Sequence, residues 1–154
     1  MSEDIGVALD REEIEQFLRE QGLGVLGVAT GGEAYTIPIA FAYNSGEDRC
    51  YFRFIMGKDS LKREFVSETD RASLTVFEWQ TKNQWKSVVM RGPIRRVTDA
   101  DLSKAATFFS EVGDEAALEV FNDSISEYET VWYELVVSEI TGRGQFVGSR
   151  ESLV

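Results

Sequence analysis

The chain has 154 residues, with 27 acidic against 16 basic side chains, a net charge of −11 and 43% apolar content. That is one domain's length with a full core's worth of apolar side chains, so a disordered chain is excluded and neither disulfide nor metal is needed for folding. The acid excess makes nucleic acid an unfavourable partner, no run of about 18 apolar residues offers a membrane span, and the lack of histidine removes Ser-His-Asp, Cys-His and His-ligated zinc or haem chemistry.

Dense carboxylate suits a surface adapted to high salt, as in a halophile, and suits an ordinary cytosolic protein equally. The start, MSEDIGVALDREE, has neither the basic opening nor the apolar centre of a signal peptide. A cytoplasmic location is therefore expected. Lone Cys50 lies in the apolar run Cys50-Tyr51-Phe52 and reads as a buried structural thiol with no base beside it.

Asp10 with Glu13 three residues on forms a capping box and opens a helix. Ile14, Phe17 and Leu18 recur at helical spacing, and Gly22 closes it. Residues 23–29, LGVLGVA, form a short apolar strand, and Thr30-Gly31-Gly32-Glu33 turns the chain. Residues 34–43 alternate strictly. Tyr35, Ile37, Ile39, Phe41 and Tyr43 share one face; Ala34, Thr36, Pro38, Ala40 and Ala42 share the other. A turn over 44–48 leads to a third strand at 49–56 and a short helix at 59–66. Strands at 71–79 and 85–97 follow, with Gly92-Pro93 predicting a bulge or an edge position. A helix runs from a Thr98 or Asp99 cap to Phe109, with a continuation at 115–121. A last strand covers 130–140, and the tail TGRGQFVGSRESLV carries no pattern. The expected fold is mainly β (α+β). It is a six-stranded antiparallel split β-barrel with an N-terminal helix, a short helix after strand 3 and C-terminal helices, all in one domain spanning 1–154.

Two stretches carry the chemistry. The first is AYTIPIAFAY. Its small face lets a flat ring approach the backbone, and Pro38, without an N–H, implies an edge or an interrupted ladder. The same face would also suit a packed helix or a second subunit. The second is GKDSLKREF, residues 57–65. Lys58, Ser60, Lys62 and Arg63 crowd one turn beside a helix start capped by Asp59 or Ser60, a ready phosphate site or an ordinary solvated helix.

The order LGVLGVAT, AYTIPIAFAY, an aromatic strand, GKDSLKREF, SLTVFEW and WKSVVMRG resembles the pyridoxamine 5′-phosphate oxidase-like superfamily of split-barrel flavoproteins, in its small nitroimidazole-reductase-like branch. The resemblance runs from about Glu12 to Val97 and, more loosely, over the last strand. It implies FMN bound in a cleft between the two protomers of a homodimer. The isoalloxazine ring would lie along Ile37, Pro38, Ile39 and Ala40, beside Phe54 and Ile55. The phosphate would be held by Ser60 and Lys62, with Lys58 a second candidate, and Trp85 and Ser87 match positions that reach the flavin. The family often has an Arg beside its phosphate Lys. Leu61 stands there, so the grip is weaker or Arg63 compensates. The implied activity is flavin-dependent oxidoreduction, with NAD(P)H as donor and a small-molecule acceptor. A deazaflavin reductase and a non-catalytic flavin carrier or sensor remain alternatives. Two departures separate the chain from the named enzymes. The basic, aromatic substrate motif of true pyridoxamine phosphate oxidases is missing from the tail, and so is the histidine that nitroimidazole reductases often carry near the flavin.

Overall fold

The computed structural model describes residues 6–57, 60–112 and 129–146, with the side chains of 111–112 excepted. Among these the strands are β1 (Val7–Ala8), β2 (Leu23–Thr30), β3 (Glu33–Ala40), β4 (Ala42–Asn44), β5 (Arg49–Met56), β6 (Arg71–Thr81), β7 (Gln84–Arg96), β8 (Glu129–Val136) and β9 (Glu139–Gln145). The helices are α1 (Arg11–Glu20), α2 (Leu61–Glu68) and α3 (Leu102–Val112), the last entered through a 3-10 turn at Asp99–Asp101. Every strand pairing is antiparallel. The strands run in the order β3-β2-β6-β7-β8-β5-β4, and β9 pairs with both β7 and β1.

The predicted local signals hold in several places. Asp10 Oδ1 accepts from Glu13 N at 2.8 Å while Glu13 Oε1 accepts from Asp10 N at 3.0 Å. Ile14, Phe17 and Leu18 are the buried stripe of α1. Gly31 and Gly32 both take positive φ, 58° and 81°, as a two-residue turn between β2 and β3 requires. Pro38 sits on β3, which ends the strand order, so the edge reading is the right one.

Elsewhere the structure departs from the pattern. Among the described residues there are nine strands rather than six. Residues 34–43 are not one strand. The chain breaks at Phe41, where β3 leaves its partner β2 and β4 pairs with β5 instead. Ala42, expected on the small outer face, is buried, and Phe41 N donates to Gly22 O at 3.2 Å. Gly22 therefore serves as an acceptor rather than a left-handed helix cap; α1 ends on extended Gln21 (φ −104°, ψ 144°). The predicted final strand divides at residues 137–138, and β9 continues into the supposedly patternless tail. Two of its inward positions, after Ile140, are Gly142 and Gly144, which hide the alternation. A Cβ on Gly142 would meet Ile14 Cγ1 at 2.9 Å, so glycine is what lets α1 lie directly on β9. Gly92 is neither bulge nor edge. It marks the corner where β7 passes from β9 (Arg91↔Glu139) to β8 (Ile94↔Leu135). Here the Val136 carbonyl oxygen lies 1.8 Å from where a Cβ would stand. The helix expected at 59–66 begins at Leu61, capped by Ser60; Asp59 lies outside the described residues. Thr98 is the N-cap residue of the 3-10 turn but makes no side-chain cap bond; of the helix face expected from spacing, Ala105 and Phe109 are buried and Leu102 and Ala106 half-buried, and the continuation at 115–121 falls outside the described residues.

One large core joins α1 to the inner faces of both sheet halves, with Leu26, Phe52, Leu74, Val76, Val88, Met90 and Leu135 fully buried. A smaller cluster, Tyr51, Val97 and Ala105 with Leu102, Phe108 and Trp132, seats α3 on the outside of β5 and β8. This second layer explains why Tyr51, on the outer face of β5, is buried.

Candidate functional site

The split between the sheet halves positions the site. β3 bonds to β2 and β5 bonds to β4 and β8, but the two strands do not pair with each other. A cleft of about 210 Å³ lies between them, lined by Leu23, Ile37, Pro38, Ile39, Ala40, Arg53, Phe54, Ile55, Lys62 and Phe109. Alternation assigns the jobs on β3: Ile37 and Ile39 send their side chains into the core, while exposed Pro38 and half-buried Ala40 present a low outer surface. On β5, Phe54 is likewise a core residue, its ring edge-on to Tyr133 at 5.5 Å, so it offers the cleft its backbone. Arg53 and Ile55 occupy the other face, opposite Trp132 and Thr130 of β8. The far wall is Phe109 of α3, packed edge-on against Trp132 at 5.4 Å.

Seven residues nominated from the sequence thus meet in one place: Ile37, Pro38, Ile39, Ala40, Phe54, Ile55 and Lys62. Ser60 is next door but does not line the cleft; its Oγ accepts from Arg63 N at 3.1 Å, capping α2 and leaving its hydroxyl proton free to donate. Lys58 lies outside the described residues. Trp85 and Ser87 are on β7 and line no part of this cleft. Trp85 stacks on Trp79 at 6.2 Å, and its indole Nε1 is buried without a hydrogen-bond partner among the described residues. Tyr35 and Tyr43, residues whose position favours packing over proton transfer, are both occupied elsewhere. Tyr35 stacks on Phe65, and Tyr43 hydroxyl bonds to Arg11 and Asp48. Cys50 is fully buried, and burial pushes its thiol pKa up, which fits the structural reading.

The electrostatics of the cleft differ from those of the surrounding surface. Its lining includes two cations, Arg53 and Lys62, and no carboxylate, in a chain of net charge −11. Most other Arg side chains are tied to acids: Arg11 to Glu15 and Asp48, Arg49 and Arg95 to Glu134, Arg63 and Arg96 to Glu129, Arg91 to Glu139. Neither Arg53 nor Lys62 forms an ion pair or hydrogen bond with any described residue. Arg53 rests its guanidinium over the Trp132 ring at 5.9 Å, and its Nε is buried and unpartnered. Two unpaired cations, a buried donor seeking an acceptor and an edge-strand backbone fit a flat group carrying an anion. Sequence reasoning missed Arg53, Leu23 and Phe109. Arg53 did leave a signal, as the one charge within the apolar run Cys50-Tyr51-Phe52-Arg53-Phe54-Ile55. Leu23 and Phe109 reach the cleft only through the tertiary fold.

The model of the pyridoxamine 5′-phosphate oxidase family matches residues 10–144. The chain belongs to this family. Its fold is that of several solved proteins. One is an FAD-binding protein from Mesorhizobium loti, 21% identical, with a TM-score of 0.71 over 92% of this chain and 99% of that one. Another is an FAD-binding protein from Mycobacterium smegmatis, 20% identical, with a TM-score of 0.64 over 90% and 98%. A third is a candidate 5-nitroimidazole antibiotic resistance protein from Bacteroides thetaiotaomicron, 16% identical, with a TM-score of 0.67 over 92% and 89%. No curated protein matches the chain.

Proposed function

We propose that this family member binds a flavin, FMN in particular, in the cleft between β3 and β5 and works as a homodimeric flavin-dependent oxidoreductase. The observation that carries the reading is the convergence of Pro38 and Ala40, the backbone at Phe54 and Ile55, and unpaired Lys62 on one cleft. The FAD-binding function named for two proteins of the same fold supports a flavin over other flat anions. It also makes FAD the competing form.

A bound flavin would supply hydride and single-electron transfer between NAD(P)H and a small-molecule acceptor. The protein's part is position and charge. Pro38 and Ala40 provide a surface without bulky side chains, and backbone groups along the open edge of β3 can hydrogen-bond to a ring. Lys62, at the first turn of α2, neutralises a phosphate, with the Ser60 hydroxyl near enough along the chain to add a donor. Buried Phe109 closes the apolar part of the cleft to water.

Exposed apolar side chains support the second protomer. Leu23, Leu61, Phe77 and Trp79 are all more than half exposed, at 57%, 54%, 58% and 60%. Such groups are suited to burial against a partner, and one of them, Leu23, lines the cleft itself.

The test is the spectrum of the purified protein, followed by mass analysis of the released cofactor. A flavin spectrum with FMN released supports the reading, and bleaching on addition of NADPH supports catalysis. Released FAD would replace FMN in it, a blue-shifted deazaflavin spectrum would replace the flavin altogether, and a colourless protein that takes up no added flavin would overturn it.

A further inference from the structure

We propose that Arg53 is the second phosphate-binding cation of this site, acting with Lys62. The inference deepens the flavin reading and rests on it. Its starting point is the pair of cations that line the cleft, Arg53 and Lys62. By sequence Arg63, next to Lys62, is the more obvious second cation. Arg63 is ion-paired elsewhere: Nη1 lies 3.1 Å from Glu129 Oε2, a contact of charge without hydrogen-bond geometry, and the same carboxylate is shared with Arg96. Arg63 is not among the residues lining the cleft, whereas Arg53 is.

Arg53 has the properties a phosphate ligand needs. It reaches the cleft from the middle of β5, where its backbone is held on one side by pairing with Trp132 of β8. The guanidinium lies over Trp132, which orients the plane without consuming a hydrogen bond. Its Nε is buried and unpartnered, and none of its donors meets a described acceptor. A guanidinium with its fork of donors unused, facing the same cleft as an unpaired ammonium, fits the several acceptor oxygens of a phosphomonoester. A single carboxylate or a carbonyl would leave part of that donor set empty. The two cations come from different elements, a strand and a helix, which is why no local motif announces them.

The test compares FMN with riboflavin, which has the same ring without the phosphate, using the full chain freed of bound cofactor and following quenching of flavin fluorescence. Arg53→Gln is expected to weaken FMN at least about tenfold, the size of one lost charge-assisted contact, while riboflavin affinity changes less than about twofold. Arg53→Lys should recover part of the FMN affinity. Arg63→Gln should leave both ligands unchanged. Retained riboflavin binding shows that the Arg53→Gln cleft is folded. The proposal is overturned if Arg53→Gln leaves FMN binding intact, if it weakens both flavins equally, or if Arg63→Gln produces the phosphate-specific loss. Those results would leave flavin binding by the wild type standing. Wild-type protein that takes up neither flavin would instead bring down the cofactor reading and this inference together.

Discussion

Replacing Lys62 with alanine is the most direct probe of the cofactor site. Lys62 has no ion pair or hydrogen bond with any described residue, so its removal breaks nothing in the free protein that this structure records. The cost should therefore fall on binding. A charge-assisted contact to phosphate contributes about 1.5–3 kcal/mol, and each 1.4 kcal/mol is roughly tenfold, so FMN should bind about 10- to 150-fold more weakly. The loss should shrink as salt is raised, because an exposed cleft admits counter-ions. Titration of the variant with FMN at two ionic strengths, with thermal unfolding as a control, reads both effects. An FMN affinity within about twofold of wild type, with the fold intact, would refute the assignment of Lys62. If Lys58→Ala produced the loss instead, Lys58 would take the place of Lys62 as the phosphate lysine.

Further outcomes follow from other parts of the molecule. Gly92→Ala would press a methyl group into the Val136 carbonyl, 1.8 Å from the ideal Cβ position and 3.0 Å from Ser138 N. Both obstacles are backbone, so destabilisation of about 3 kcal/mol or more is expected, lowering Tm by roughly 6–12 °C; a shift under about 2 °C would contradict the sheet corner. Stability should fall at alkaline pH. Burial raises the thiol of Cys50 above its ordinary 9.0 and the hydroxyl of Tyr43 above its ordinary 10.0. Both groups stay neutral in the folded chain while the unfolded chain ionises. Stability is thus complete below the unfolded values and drains away as pH rises past them. Urea midpoints between about pH 8 and pH 10.5 should decline, and less steeply in Cys50→Ala; a flat profile would contradict the buried thiol. Light scattering at two protein concentrations should give a dimer favoured by high salt, where repulsion between chains of −11 is screened. A stable monomer that still binds flavin would sink the two-protomer site.

Sequence and tertiary structure divided this protein between them along a physical line. What short-range periodicity encodes was legible in the chain alone. The capping box at Asp10, the apolar stripe of α1, the glycine turn at Gly31-Gly32 and the two faces of β3 all follow from spacing within a few residues. So did the segment Ile37 to Ala40 as a flat surface, and Lys62 as a cation after the third strand. Elements whose pattern is set by distant neighbours were hidden. β9 looks unstructured because two of its inward positions are glycines, Gly142 fitted under α1 and Gly144 against β7, and Gly92 looks like a bulge until β8 is seen crossing behind it. Phe41 reads as one more residue of an alternating strand because the change of partner from β2 to β5 leaves no local mark. The candidate site follows the same rule. Its ring-facing strand is a local feature, but the pairing of Arg53 with Lys62, and the commitment of Arg63 to Glu129 instead, depend on which charges the fold brings together. Charge neutralisation acts through space, so only the tertiary structure could decide which cations were left free for a ligand.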